Sequence, residues 1–306
     1  MKMLFCSDGS AAAENAVRFG ALIAAGCHAE TTILGICEQA GTEDALVQSL
    51  RRSQELLKQH NLNAELITKA GRPVTEIVKR TRETPYDLVV IGAERRPGRT
   101  PALRSAKAYQ IIEAVAPPVL VVVGERPVLR RVLLCSAGGA QAGKAVELTG
   151  AIASGAKAEV ALFHVLAAPP AMFAGLLQQE EDVELLLHSD STLGRRLRQQ
   201  QETLTQLAIA CTVRLRHGLV VPELLMELRQ AEYDLVVAGS SPVRDPLRAY
   251  MLGNVTREIV NHAEWPVLIV RTGGEAHRWS DFVNRLFSSP TAPPESTSAC
   301  RLWRVC

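Results

Sequence analysis

The sequence predicts an α/β fold made of two repeats of a doubly wound, five-stranded parallel sheet. Three observations carry this. The phrase Tyr-Asp-Leu-Val-Val-x-Gly occurs at 86–92 and again at 233–239, an offset of 147. Short apolar runs alternate with amphipathic stretches along each half, the pattern of strands joined by crossover helices. The inner apolar runs are continuous rather than alternating, as strands are when helices cover both faces of a sheet.

Taken in order, the first half opens with "MLFCS", a β-rich apolar run. A small-residue turn, "DGS", and an alanine-rich amphipathic stretch, "AAAENAVRFGALIAAG", follow it. The second half repeats this order in "VLLCSAGGAQAGKAVELTGAIASG". Then come "TTILGIC" and "EVALFHVL", two apolar runs of strand length. Further on, "AGRPVTEIVKRTRETPYDLVVIG" answers "HGLVVPELLMELRQAEYDLVVAG". Gly71 matches Gly218, Tyr86 matches Tyr233 and Gly92 matches Gly239. Pro118 matches Pro266 at an offset of 148, so the stretch between has gained one residue. The expected strands are 3–8, 32–37, 64–68, 87–92 and 118–123, then 131–136, 158–166, 211–216, 234–239 and 266–270. Pro73 suits the first turn of a helix. Pro118 and Pro266 open or precede a last strand, where proline stays out of the ladder interior.

Two domains are expected, at 1–124 and 130–272, joined by the polar link "GERPVLR". The stretch 167–210 is helical in pattern and longer than its counterpart 41–62, which predicts an added helical turn or surface excursion. The tail, 273–306, holds "SSPTAPPESTSA" and reads as largely disordered. Within it, "RWSDFVNRLF" has the pattern of a short amphipathic helix that docks on a domain or a partner.

Composition narrows the function classes. Hydrophobic residues at 47% allow a real core, and aromatics at 4% make it an aliphatic one. A net charge of +2 is too small to argue for nucleic acid or an anionic membrane. No apolar run reaches the length of a membrane span, and the start "MKMLFCSDGS" is too short for a secretory signal. Seven cysteines, an odd number without close pairing in the globular part, fit a reducing cytoplasm better than a disulfide framework. Cys6 and Cys135 sit in apolar runs and read as buried thiols. The expectation is a cytoplasmic chain with no nucleic-acid or membrane partner.

Open α/β sheets bind ligands beyond the carboxyl ends of the strands, where strand order reverses. In the first half the loops facing that point are "SDGSAAA" and "GAERRPGRTPALRSA". Glycine at a strand end permits close approach, and the following helix offers free N–H groups to an anion. Such a crevice suits a nucleotide or a phosphate. Asp8, with Gly9 and Ser10 beside it, contacts that ligand or caps the next helix; Ser10 reads as the cap.

The "CSDGS" opening, the "YDLVVxG" strand and the "PVLVV" closing strand stand in order, with counterparts in the second half. On these residues the chain resembles a tandem member of the universal stress protein family over about residues 1–272. The resemblance implies an adenine-nucleotide-alpha-hydrolase-like fold, and domains that pair within the chain as the family's single domains pair into dimers. It places that pairing on the last strands, "PVLVV" and "PVLIV". The ATP-binding branch of the family has an aspartate after strand one. After strand four it has glycine, two residues, glycine, nine residues, glycine, and serine or threonine. Carried over, the first half keeps Asp8 and Gly92, with Arg95, Ser105 and Ala106 at the remaining places. The second half has Ala137 for the aspartate and keeps Gly239. Pro242 stands for the second glycine, and Gly253 and Asn254 follow after one extra residue. Both cradles are thus degenerate, and Pro242 has no N–H to donate. Arg95, Arg96, Arg99, Arg104 and Lys107 replace glycine amides with side-chain charge, or form a solvated or acid-paired basic loop.

The remaining candidates are weaker. His164 and His217 read as satisfied histidines at strand ends, and His28, His60, His188, His262 and His277 build no metal-ligand spacing. Gly138, Gly143 and Lys144 match a phosphate-loop spacing, but Ala145 lacks the hydroxyl that would hold magnesium. No G-x-S-x-G nucleophile signature is present. The first reading is a non-catalytic stress-response or regulatory protein with degenerate sites that bind ATP or another adenine nucleotide weakly or not at all. The alternatives are an enzyme that hydrolyses a nucleotide or transfers an adenylyl or phosphoryl group, and a ligand-free scaffold. A homo-oligomer and an unidentified protein partner remain open.

Overall fold

The computed structural model describes residues 1–38, 41, 43–94, 106–136, 142–166, 183–240, 256–262 and 264–271. The strands are β1 (Lys2–Ser7), β2 (Glu30–Cys37), β3 (Ala64–Ala70), β4 (Leu88–Ala93), β5 (Val119–Val123), β6 (Arg131–Cys135), β7 (Glu159–Leu166), β8 (Cys211–His217), β9 (Leu235–Ser240) and β10 (Val267–Arg271). The helices are α1 (Ala11–Gly26), α2 (Glu43–Gln59), α3 (Pro73–Glu83), α4 (Ala106–Ala114), α5 (Ala142–Ala156), α6 (Val183–His188), α7 (Thr192–Gln206) and α8 (Val220–Gln230). Residues 256–262 are helical as well. Every expected strand is present to within about two residues at either end.

The chain builds one ten-stranded sheet in the order β3-β2-β1-β4-β5-β10-β9-β6-β7-β8. The two five-stranded sheets that the sequence predicts are therefore the two halves of one sheet, side by side and not interleaved. Within each half the strands are parallel, and β5 meets β10 antiparallel. The joint is centred on Leu268 opposite Leu120, residues that occupy the same place in the two repeats. An approximate two-fold axis passes between them.

Helices cover both faces. Phe5, Phe19, Leu50, Leu57, Ile152 and Leu204 belong to the core under α1, α2, α5 and α7. Ile77, Ile111, Leu224, Leu228 and Ile259 belong to the core under α3, α4, α8 and 256–262. Local chemistry sets the helix starts. Ser10 Oγ accepts from Ala13 N at 3.2 Å, and Ser191 Oγ accepts from Gly194 N at 3.0 Å. Pro73 stands in the first turn of α3. The long stretch before β8 contributes α6 and α7, and its first residues, 167–182, lie outside the described residues. The expected tail lies outside them too, as does the docking segment within it.

The repeated phrase has a physical explanation. Asp87 Oδ2 accepts from Lys2 N at 2.7 Å, so it holds the start of β1 beside β4. Asp234 does the same for β6, accepting from Arg130 N at 2.7 Å and Arg131 N at 3.0 Å. The two tyrosines are buried. Arg80 Nε donates to Tyr86 Oη at 2.9 Å, whereas Tyr233 Oη donates to Glu227 Oε1 at 2.9 Å. Arg80 and Glu227 hold the same repeat position, so the charge facing the phenol has been inverted.

Side chains and backbone close the joint between the halves. A Cβ on Gly26 would stand 2.6 Å from the Gly155 carbonyl carbon, so α1 and α5 cross where only glycine fits. These glycines are again repeat equivalents. Arg271 donates to the carbonyls of Glu113 at 2.7 Å and Val115 at 2.9 Å, at the C-terminal end of α4. Arg126 donates to the Glu264 carbonyl at 2.8 Å on the other side of the axis.

Candidate functional site

In the first half the strand order turns back between β1 and β4. A crevice opens there, beyond their carboxyl ends, as doubly wound sheets require. Its volume is about 90 Å³. The walls are apolar: Ile36 from β2, Pro73 and Ile77 from α3, Ile91 from β4 and Ile111 from α4. Cys6 and Ser7 from β1 also line it, and Asp8, Glu38 and Lys107 bring charge. Burial pushes the Cys6 thiol well above its ordinary value, so the wall it forms is neutral.

Of the residues singled out in the sequence, the fold brings Asp8 and Gly92 together on this crevice. Asp8 is exposed, and its Oδ1 accepts from Ser10 N at 3.0 Å. The helix cap itself is Ser10, so the Asp8 carboxylate shapes the turn and faces the crevice without capping α1. Gly9 takes a φ of +83°, which lets the chain swing from β1 into α1. Gly92 answers why the repeated phrase ends on glycine. A side chain there would run into the Ala12 carbonyl and stand 2.7 Å from Ala13 N. The first turn of α1 can lie over the end of β4 only because Gly92 has none.

Sequence reasoning missed Glu38 as a site residue. Lys107 Nζ lies 2.6 Å from Glu38 Oε1, and both residues line the crevice. Lys107 came to notice as part of the basic stretch after β4. Glu38 follows the last residue of β2, 69 positions earlier, and no local pattern marks it. Arg95, Arg96, Arg99, Arg104 and Ser105 lie outside the described residues, as do Ala137, Pro242, Gly253 and Asn254.

The corresponding place in the second half is chemically different. Asp8, Glu38 and Lys107 have Ala137, Ala167 and Val255 at their repeat positions. The three charges that line the first crevice among the described residues are thereby absent from the sequence of the second. Gly239 keeps its place in β9, paired with Val270. Ser136, the counterpart of Ser7, donates from Oγ to Gln200 Oε1 at 2.9 Å, and Gln200 is only 6% exposed. His164 Nδ1 lies 3.0 Å from the Ser136 carbonyl, the satisfied histidine that its strand position suggests. Ala145, at the last place of the phosphate-loop spacing, is buried in the core under α5. Cys135 is only partly covered, less buried than its apolar run suggests, yet its thiol is still pushed up to about 12 by burial.

Among the described residues, no three His, Cys, Asp or Glu side chains gather as a metal site, and no helix is long and apolar enough to cross a membrane.

A family model described as the universal stress protein family matches residues 1–123 and 129–271. No curated protein matches the chain. Among solved structures, a universal stress protein from Archaeoglobus fulgidus DSM 4304 matches with a TM-score of 0.65 at 16% identity. The match covers 89% of this chain and 98% of that one. A functionally unknown protein from Pseudomonas aeruginosa PAO1 matches with a TM-score of 0.62 at 15% identity, over 93% of this chain and 95% of that one. At these identities the likeness is one of fold.

Proposed function

The chain belongs to the universal stress protein family, and from that premise we propose a non-catalytic regulator that takes one adenine nucleotide, weakly, in its first half. The second half takes none and serves as the pairing partner. The working units are residues 1–124 and 130–272, with 273–306 as a tail beyond them, and the protein acts in the cytoplasm.

The observation that carries the reading is the difference between the two rims. The first has Asp8, Glu38 and Lys107 around an aliphatic crevice; the second has alanine, alanine and valine in their places. The fit to a nucleotide follows from the walls. Isoleucines and Pro73 suit the face of a flat ring, and Asp8 can accept from an amino or hydroxyl group. A cavity of about 90 Å³ is below the ~300 Å³ at which pockets for drug-sized ligands begin. It takes the ring end of the ligand, and the phosphates lie across the mouth near Lys107. Weak binding follows from the eroded glycine loop, which leaves fewer backbone N–H groups for phosphate.

The test is to denature the purified protein, measure released adenine nucleotides by chromatography, and titrate stripped protein with ATP. The expected result is less than one nucleotide per chain released, with the titration of stripped protein saturating near one ATP per chain and the binding lost in Asp8→Ala. Two per chain, none at millimolar ATP, or unchanged binding in Asp8→Ala would sink the reading. Phosphate release that depends on Asp8 would favour the enzyme instead.

A further inference from the structure

We propose that Glu38 and Lys107 form a latch across the mouth of the first crevice, in which the Glu38 carboxylate competes with an anionic ligand for the Lys107 ammonium. The inference rests on the nucleotide reading and adds the control of that site.

Lys107 is the one cation among the described residues that line the crevice, and it sits in the first turn of α4. It is also the natural partner for a phosphate at the mouth, since the third glycine and the hydroxyl of the usual loop are replaced by Ser105 and Ala106. In the closed arrangement it is 2.6 Å from Glu38. Glu38 thus holds the ammonium that a phosphate would need, and an arriving phosphate gains Lys107 only when Lys107 leaves Glu38. The pair is exposed enough to open, with side chains 68% and 42% accessible, and pairs of this kind are weakly held.

The repeat shows that the fold does not need the pair. The equivalent residues are Ala167 and Val255, and the second half still forms its five strands and pairs them in the same order. A residue set that one copy keeps and the other replaces is not required as scaffolding for the strands it sits on; here it is the chemistry of one mouth.

The latch predicts a charge-dependent response. Calorimetric titration of the full-length chain with ATP, AMP and adenosine would compare wild type, Glu38→Gln, Lys107→Met and the double variant. Glu38→Gln should tighten ATP about two- to five-fold, the worth of an exposed pair. It should help AMP less and leave adenosine unchanged. Lys107→Met should weaken ATP, and Glu38→Gln should add nothing in that background, because there is no ammonium left to release. Thermal unfolding of each variant near wild type confirms that the comparison is between folded proteins. Wild type that binds ATP, with no gain in Glu38→Gln, overturns the latch and leaves the nucleotide reading standing. A gain that persists in Lys107→Met shows plain repulsion by Glu38 and also overturns it. No binding of ATP or adenosine by any variant overturns both.

Discussion

Leu120→Ala tests whether the two halves unfold as one body. Leu120 and Leu268 face each other at the antiparallel joint and are fully buried in one core. Truncating a leucine so placed costs about 2–5 kcal/mol, and the cavity cannot collapse easily between two sheet halves. Taking about 3 kcal/mol, amides that exchange only through global unfolding should exchange about 150-fold faster. The assay is native-state hydrogen exchange read by mass spectrometry. The informative peptides are β6 and β7, in the other half and three and four strands from the mutation. If the sheet is one cooperative unit, those peptides accelerate with β1 and β4. Acceleration confined to residues before the link would refute the reasoning and show that the halves are stable separately.

Two further outcomes follow from the geometry. Asp87→Ala removes one charge-assisted bond to a backbone N–H, and Asp234→Ala removes two. Urea denaturation should therefore show a loss of about 1.5–2 kcal/mol for the first and a larger loss, about 2–3 kcal/mol, for the second; equal losses would contradict it. The fold should also weaken in alkali. Burial pushes the Cys27 thiol up to about 12 and, together with the Glu227 carboxylate that accepts its proton, pushes the Tyr233 phenol up to about 12. These groups are raised in the folded state, so their contribution is whole below the unfolded values near 9 and 10. It is lost as pH rises through the folded ones. The urea midpoint should decline progressively from about pH 9 upward, and a flat profile to pH 11 would oppose the assignment.

Much of the fold was legible in the sequence, for reasons that particular residues make clear. The inner strands could be read because each is a continuous apolar run closed by glycine, proline or a charged turn, and two copies gave the same reading. The pairing of β5 with β10 came from the family resemblance, since nothing in "PVLVV" by itself names its neighbour. Asp8 and Gly92 could be found because they sit in short fixed motifs. Glu38 could not, because its meaning comes from Lys107 across the crevice, and periodicity is silent about partners so far apart in the chain. The roles of Arg126 and Arg271 were hidden for the same reason. Each holds a backbone carbonyl across the joint, Arg271 at the end of α4 and Arg126 at Glu264, and neither position has a pattern that separates it from an ordinary surface arginine.

The antiparallel joint has an evolutionary consequence. In a dimer of identical chains every substitution appears twice, so a change that improves one crevice alters the other. Here a single polypeptide carries both copies, with the carboxyl ends of their strands pointing toward opposite rims of the sheet. Each copy can drift without dragging its twin along. Arg80 against Glu227, and Asp8 against Ala137, record that divergence: duplication kept the architecture of a pair and released its members from having to be the same.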